Sequence, residues 1–194
     1  MTEPTILLLA AGRSARMRGR DKLLEDVAGQ PLLRLMASRA TKAAVPVRVV
    51  LGPDQPTRRA ALDGLAVEIV EAEGDDGMAA SIRAGVAGLG GPVLLVLTDM
   101  PEITANDLYL MVTLAAQAPK AILRAATKDG QPGHPVLFPA DLLPDLAQLT
   151  GDEGARAILK REAKRVHLLP LADDRAAIDL DTPEDWATWR KRRD

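Results

Sequence analysis

The stretch that decides the fold runs from residue 5 to residue 22 and reads TILLLAAGRSARMRGRDK. Its first part, residues 5–10, is short, continuously apolar and followed by small residues, which is typical of a buried strand in a parallel sheet. Ligands of open α/β sheets bind beyond the carboxyl ends of the strands. The small and basic residues from Ala11 to Lys22 are therefore the first candidate binding loop.

The rest of the chain repeats this alternation of apolar strand and amphipathic helix. Further strands are predicted at 47–51, 66–70, 92–97, 121–126, 135–138 and 166–169. Helices are predicted at 31–42, 78–89 and 104–117, twice between 139 and 161, and from Pro183 to the C-terminal region. Thr104 with Asp107, and Thr182 with Asp185, have the spacing of capping boxes. The pattern predicts a three-layer α/β fold, with a mainly parallel sheet covered by helices on both faces.

One segment breaks the rhythm. Residues 127–138 carry Gly130, Pro132, Gly133 and Pro135, and indicate either a functional loop or an excursion across the sheet. Neither an internal repeat nor a linker divides the 194 residues, so we expect a single domain over residues 1–194.

Composition excludes several classes of protein. Aromatic residues make up only 2% of the chain, which argues against the stacking platforms of single-strand nucleic-acid binding. The absence of cysteine excludes disulfides, cysteine-bound zinc and thiol catalysis. The N-terminus does not have the pattern of a signal peptide, and no apolar run reaches the roughly 18–20 residues that span a bilayer. We therefore expect a cytoplasmic protein that binds neither nucleic acid nor membranes.

The first loop matches neither of two common phosphate-binding motifs. Gly12 lacks the further glycines of a dinucleotide fingerprint, and Met17 stands where a P-loop needs its second glycine. The loop still offers small residues that allow close backbone approach, with Arg16 and Lys22 able to meet phosphate oxygens. An ordinary solvated basic loop fits the same residues, and these residues alone leave both interpretations open.

Two groups of carboxylates are candidates for a metal site. Asp99 follows the predicted strand 92–97, at the same edge of the sheet as the first loop. Asp179 and Asp181 alternate along an extended segment and so point to one side. Magnesium prefers one or two carboxylates together with substrate phosphates. The acidic residues after Asp181 are explained equally well as an ordinary helix start.

Three stretches together resemble the MobA-like nucleotidyltransferases. LAAGRSARM followed by Lys22 is similar to that family's opening L-A-A-G-x-S-x-R-M-G…K, although Arg18-Gly19 replaces the usual glycine. Residues 98–101 (TDMP) and 178–185 (IDLDTPED) resemble its D-x-P and D-I-D-T-P-E-D elements, with Thr98 replacing a common glycine. The resemblance implies a Rossmann-like nucleotidyltransferase fold, a loop that wraps a nucleoside triphosphate and a bound Mg²⁺. It assigns the nucleotide to Leu9, Ala10, Ala11, Gly12, Arg16, Lys22 and Asp99, and the metal to Asp99 and to Asp181 in preference to Asp179.

A fourth stretch bears on the base. Residues 74–85 (GDDGMAASIRAG) resemble G-M-x-x-S-L-R-A-G of the cytidylyltransferase branch, where this element contacts the nucleoside. The resemblance adds Gly77, Met78 and Ser81 to the nucleotide site and favours CTP over GTP. Without it, the same residues are those of a plain helix start with Met78 and Ile82 in the core.

Two further stretches bear on the acceptor. Residues 130–138 (GQPGHPVLF) and 151–156 (GDEGAR) resemble the family's P-G-H-P-V-x-F and G-D-x-G-A-R elements. The resemblance implies that Gly133, His134 and Arg156 contact the acceptor. On the residues alone, His134 is as well explained by packing, and Asp152 by the capping of a helix.

The implied reaction transfers CMP from CTP to a phosphorylated acceptor, molybdenum-bearing molybdopterin, and releases pyrophosphate. Arg16, Lys22 and Asp99 would be its catalytic residues, and a molybdenum oxidoreductase would receive the product. The alternatives are GTP as donor, another phosphorylated small molecule as acceptor, and a non-catalytic protein that delivers a finished cofactor.

Overall fold

A seven-stranded sheet forms the centre of the computed structural model, which describes residues 2–73, 77–151 and 154–193. The chain contains strands β1 (Thr5–Leu9), β2 (Asp26–Val27), β3 (Gln30–Pro31), β4 (Val47–Leu51), β5 (Glu68–Glu71), β6 (Val93–Leu97), β7 (Ile122–Ala126), β8 (Pro132–Phe138) and β9 (Val166–Pro170). The sheet has the order β5-β4-β1-β6-β8-β7-β9, while β2 and β3 form a separate hairpin. All neighbouring strands of the sheet pair in parallel except where β8 meets β6 and β7.

Seven helices accompany the sheet in the described residues: α1 (Leu32–Thr41), α2 (Pro56–Ala61), α3 (Gly77–Val86), α4 (Ala105–Gln117), α5 (Leu143–Leu146), α6 (Arg156–Arg161) and α7 (Pro183–Lys191). Helices α4 and α7 begin with the predicted capping boxes, which use Thr104 with Asp107 and Thr182 with Asp185. In each, the threonine hydroxyl accepts a hydrogen bond from the aspartate N–H and the carboxylate accepts one from the threonine N–H. These contacts satisfy amide groups that the first helical turn leaves unpaired.

The core divides into two layers, one on each face of the sheet. Side chains alternate along β1, so that Ile6 and Leu8 pack into one layer and Leu7 into the other. Helices α1, α4 and α7 cover the first layer, and α3, α5 and α6 cover the second. The predicted three-layer α/β fold with a mainly parallel sheet is confirmed.

Strand β8 explains the irregular segment at residues 127–138. It begins at Pro132, earlier than the predicted 135, and runs antiparallel between β6 and β7. The segment is thus a crossing of the sheet, one of the two interpretations that the sequence left open. Because β8 runs opposite to β6 and β7, its first residues lie at the edge of the sheet where those two strands end.

Two elements were not predicted from the sequence: the β2–β3 hairpin and helix α2. Helix α2 has only six residues and begins directly at Pro56. Within the described residues, no helix combines the length and apolar character needed to cross a bilayer.

Candidate active site

A cleft of about 840 Å³ opens at the carboxyl ends of the parallel strands. Its walls include Gly12 after β1, Gly52 after β4, Ala72 after β5 and Asp99 after β6. The amino end of α3, at Gly77, closes another side. This is the location that a parallel α/β sheet provides for a ligand.

Most residues expected to hold a nucleotide line this cleft. They are Leu9, Ala11, Gly12, Lys22, Gly77, Met78, Ser81 and Asp99. Two others do not line it. Ala10 is 1% exposed, and its carbonyl accepts a hydrogen bond from the buried Arg58. The guanidinium of Arg16 forms an ion pair with Asp181 at 2.6 Å.

Helix α3 presents its first turn to the cleft. Met78 is 40% exposed, which is inconsistent with a purely core role, whereas Ile82 is buried and packs in the second layer of the core. The Ser81 hydroxyl donates to the Gly77 carbonyl at 3.4 Å. The preceding residues Gly74, Asp75 and Asp76 of the same motif lie outside the described part of the chain.

Two carboxylates from distant parts of the chain meet at one point beside the first loop. The Lys22 ammonium lies 2.5 Å from Asp99 Oδ2 and 2.7 Å from Asp181 Oδ1. All three side chains are largely buried, and the exposed Arg16 pairs with the second oxygen of Asp181. The structure therefore brings Asp99 and Asp181 within contact distance of a single cation.

Backbone contacts hold these two segments together. The Leu180 N–H donates to the Asp99 carbonyl at 3.0 Å, which links the end of β6 to the segment before α7. The Thr98 hydroxyl donates to the Leu9 carbonyl and so ties the end of β6 to the end of β1. The amide of Asp181 also joins the α7 cap, donating to Asp185 at 3.2 Å. The convergence of the carboxylates is thus built into the main chain.

The charges at this point influence one another strongly. Burial opposes the charged form of Lys22, but the neighbouring Asp99 and Asp181 outweigh it and raise the pKa of the ammonium. Burial likewise opposes ionisation of Asp181, yet the contacts with Lys22 and Arg16 lower the pKa of its carboxyl group. Both groups are charged at neutral pH.

Asp179 lies near the same cluster. Burial, and then the charges of Asp99 and Asp181, raise the pKa of its carboxyl group. Asp181, by contrast, has two cationic partners, Arg16 and Lys22.

The donor set fits a divalent cation that also binds substrate phosphates. Asp99 Oδ1 is buried and has no hydrogen-bond partner among the described residues. An unsatisfied buried carboxylate oxygen is costly unless a ligand completes it. The described residues do not form a group of three or more metal-binding side chains, so Asp99 and Asp181 would need further oxygens from the substrate.

Arg58, from the unpredicted helix α2, stabilises the first loop through hydrogen bonds to two of its residues and to the residue before it. It is only 2% exposed, and its guanidinium donates to both oxygens of Asp21 at 2.7 Å. It also donates to the Ala10 carbonyl and, at 3.1 Å, to the Ser14 hydroxyl. Burial opposes ionisation of Asp21, but the bonds and charge of Arg58 lower the pKa of its carboxyl group.

The expected acceptor residues lie on the other side of β6. Gly133 packs so tightly that any side-chain carbon there would overlap the Ala176 carbonyl. The charges of Arg124 and Asp99 both reach His134; burial and the Arg124 charge lower the pKa of the His134 imidazole to about 4. Arg156 begins α6 and lines a second, smaller cavity instead of the main cleft. The proposed cap Asp152 is outside the described residues.

Comparison with known proteins agrees with this architecture. The family model for the MobA-like NTP transferase domain matches residues 6–166. The chain belongs to this family.

Among relatives of this MobA-like chain is a probable molybdenum cofactor guanylyltransferase of Natronomonas pharaonis, 30% identical over 99% of both chains. Among solved structures, Rv0371c of Mycobacterium tuberculosis H37Rv is similar with a TM-score of 0.81 and 28% identity, over 98% of this chain and 99% of that chain. A manganese complex of Rv0371c is similar with a TM-score of 0.79 and 25% identity, over 96% of this chain and 97% of that one. This MobA-like chain is therefore a member of the nucleotidyltransferase superfamily.

Sequence reasoning missed Arg58 and Asp21 in this MobA-like site. The available signal was Pro56, shortly after the end of β4 at Leu51, because proline favours the first turn of a helix. Such a helix begins at the carboxyl edge of β4, where its side chains reach the loop that follows the neighbouring strand β1.

Proposed function

We propose that the chain transfers CMP from CTP to the phosphate of molybdenum-bearing molybdopterin and releases pyrophosphate, with Mg²⁺ as cofactor. The observation that carries the proposal is the meeting of Asp99 and Asp181 on one cation beside the first loop. Pure delivery of a finished cofactor needs no such pair of carboxylates at the mouth of a nucleotide-sized cleft. The cytoplasm is the proposed place of action, and a molybdenum oxidoreductase the proposed recipient.

The chain would work as one domain with two functional parts. The N-terminal part, with the first loop and α3, would bind the nucleotide in the main cleft. The C-terminal part, with Gly133, His134 and Arg156, would bind the acceptor. Asp99 lies between the two parts, since it lines the cleft and its charge reaches His134.

The reaction needs alignment more than proton transfer. An acceptor phosphate oxygen attacks the α-phosphorus of CTP, and the bond from that phosphorus to the bridging oxygen of pyrophosphate breaks. Because the acceptor phosphate is already ionised, no side-chain base is required, and catalysis rests on positioning and charge stabilisation. When bound by Asp99 and Asp181, Mg²⁺ would supply positive charge to the phosphates.

Arg16 and Lys22 would stabilise the leaving pyrophosphate. Lys22 lines the cleft and carries a compact charge on a flexible stem, so its ammonium can turn from the carboxylates to a phosphate. Arg16 is mostly exposed, and its guanidinium forms an ion pair with Asp181 beside the same site.

GTP is the second candidate donor. The 30% identical relative from Natronomonas pharaonis carries the name of a probable guanylyltransferase. CTP is supported by the resemblance of residues 77–85 to the cytidylyl branch and by the exposure of Met78 in the cleft.

Pyrophosphate release tests the proposal directly. The purified chain should release pyrophosphate from CTP only when Mg²⁺ and molybdenum-bearing molybdopterin are both present. Faster release from GTP would assign the second donor. Release from neither nucleotide, with an intact fold, would refute transfer to this acceptor.

A further inference from the structure

A second cavity, separate from the cleft, is lined by three cations. It has a volume of about 390 Å³ and lies between β7, β9 and α6. Arg124, Arg156 and Lys160 face it together with apolar residues that include Leu159 and Leu168, and none of the described residues that line it is acidic.

These cations differ from their neighbours on the same part of the surface. Arg161 is paired with Asp145 at 2.7 Å, and Arg165 with Asp141 at 2.8 Å. Within the described ranges, by contrast, Arg124, Arg156 and Lys160 form no ion pair with a carboxylate. Arg156 and Lys160 are exposed and Arg124 is partly buried, so the repulsion among the three charges is least screened at Arg124, and an anion relieves it.

Arg124 is the fixed member of the cluster. It is partly buried on β7, and its Nε donates to the Gly133 carbonyl at 3.0 Å, which holds the plane of the guanidinium. Burial, and then the charge of Arg156, lower the pKa of the Arg124 guanidinium. A held guanidinium is suited to planar, two-point recognition of an oxyanion.

Two contacts relate the cavity to the proposed active site. The Gly133 carbonyl, which accepts from Arg124, directly precedes His134, and the charges of both Arg124 and Asp99 reach that imidazole. Gly154, two residues before Arg156, packs against Met78 of the cleft, because a side-chain carbon at Gly154 would lie 2.8 Å from the Met78 sulfur. An acceptor that extends from the cleft past His134 would approach the cluster.

We propose that Arg124, Arg156 and Lys160 bind an oxyanion that the acceptor carries at a distance from its reacting phosphate. The proposal deepens the proposed function and rests on it for the identity of the acceptor. It selects acceptors with a second negative charge, and it disfavours sugar phosphates whose far end is neutral.

Inorganic phosphate is the direct probe of the cluster. Titration at constant ionic strength, with chloride as the competing anion, should give saturable NMR shifts at the amides of residues 124, 156 and 160. Arg124→Gln and Arg156→Gln should each weaken this binding at least about tenfold, since charge-assisted contacts are the strong ones. Arg156 makes no described ion pair, so its variant tests binding even if Arg124→Gln folds poorly.

Lys164→Gln is the matched control, because Lys164 is exposed, near in sequence and not part of the cavity lining. Its affinity for phosphate should equal that of the wild type. No saturation in the wild type, equal affinity in both arginine variants, or equal weakening in the control would each overturn the proposal.

Enzyme kinetics connect the cluster to the acceptor. Arg124→Gln and Arg156→Gln should raise the KM for molybdenum-bearing molybdopterin about tenfold and leave the KM for CTP unchanged. A rise only with molybdenum would assign the oxyanion to the metal's oxo groups, whereas the same rise with metal-free molybdopterin would overturn a contact with an oxyanion distant from the reacting phosphate. An unchanged acceptor KM in both variants would refute the contact. Failure of the wild type to release pyrophosphate would refute the proposed function alone, since the phosphate titration needs no turnover.

Discussion

Lys22 Nζ lies 2.5 Å from Asp99 Oδ2, inside the donor set proposed for a divalent metal. The same nitrogen lies 2.7 Å from Asp181 Oδ1. An ammonium and a metal ion cannot occupy that point together, so Lys22 and Mg²⁺ compete for the two carboxylates. Lys22 must therefore withdraw when the metal arrives, and the incoming phosphates offer it new partners.

Removal of the competitor should strengthen metal binding. In Lys22→Met without nucleotide, we expect the affinity for Mn²⁺ to rise about tenfold, which corresponds to about 1.4 kcal/mol. Electron paramagnetic resonance of free Mn²⁺ measures this affinity. Lys42→Met, which changes an exposed lysine, should leave it unchanged. Equal or weaker binding in Lys22→Met would show that the lysine and the metal do not share a site.

Loss of either carboxylate should stop turnover without unfolding the chain. Asp99→Asn and Asp181→Asn should each reduce kcat at least about 100-fold, the usual effect of removing one group that stabilises transition-state charge. Pyrophosphate release and thermal melting together measure the two effects. Glu184→Gln removes an exposed carboxylate from the same segment as Asp181. Glu184 pairs with Arg18, and its variant should retain full activity. Wild-type turnover in Asp99→Asn would remove Asp99 from the mechanism.

The buried Arg58 should be important for stability. Arg58→Met leaves the half-buried Asp21 without its cationic partner; breaking a fully buried pair typically costs about 3–5 kcal/mol, so we expect a loss towards the lower end of that range. Urea unfolding should show that Arg58→Met with Asp21→Asn loses less than the two single changes added together. Arg59→Met removes an exposed pair with Glu71 and should cost no more than about 1 kcal/mol. Strict additivity of the Arg58 and Asp21 effects would show that the Arg58–Asp21 ion pair does not stabilise the fold.

His134 should make stability depend on pH. Its pKa is about 4 in the folded chain against 6.5 for an ordinary histidine. The unfolded chain binds the extra proton between these values, so stability is complete above about pH 6.5 and is lost as the pH falls towards 4. At about 1.4 kcal/mol per pKa unit the effect is at most about 3 kcal/mol.

The comparison of His134→Gln with the wild type isolates this contribution from other titrating groups. The difference in unfolding free energy between the two proteins should vary between pH 4 and 6.5 and be constant above that range. His167→Gln changes an exposed histidine and is the control substitution, with an unfolding free energy close to that of the wild type. A pH-independent difference for His134→Gln would indicate that the imidazole titrates normally.

The convergence of the first loop and Asp99 could be predicted because it depends on strand order. Both follow apolar strands, and the carboxyl ends of parallel strands share an edge. Asp181 does not follow a strand, and its approach through the Leu180–Asp99 backbone contact cannot be seen in any local pattern. Only the resemblance to the family indicated it.

Arg58 and β8 show where local patterns fail. The sequence does not show whether an arginine is buried or exposed, and α2 is too short to display a helical period of apolar residues. Strand β8 begins with Pro132 and Gly133, residues typical of loops, and Gly133 lies against the Ala176 backbone, where no side chain fits. In both cases a tertiary contact determines the structure.

The reversal of β8 has an evolutionary consequence. A parallel strand delivers its last residues to the ligand edge, but β8 delivers its first, directly after the short turn at residues 127–131. Insertions or exchanges in that turn would alter the wall beside His134 while the hydrogen-bonded ladder stays in register. Related enzymes could thus diversify their choice of small molecule by varying one hairpin tip, and a designer could graft new tips at the same place.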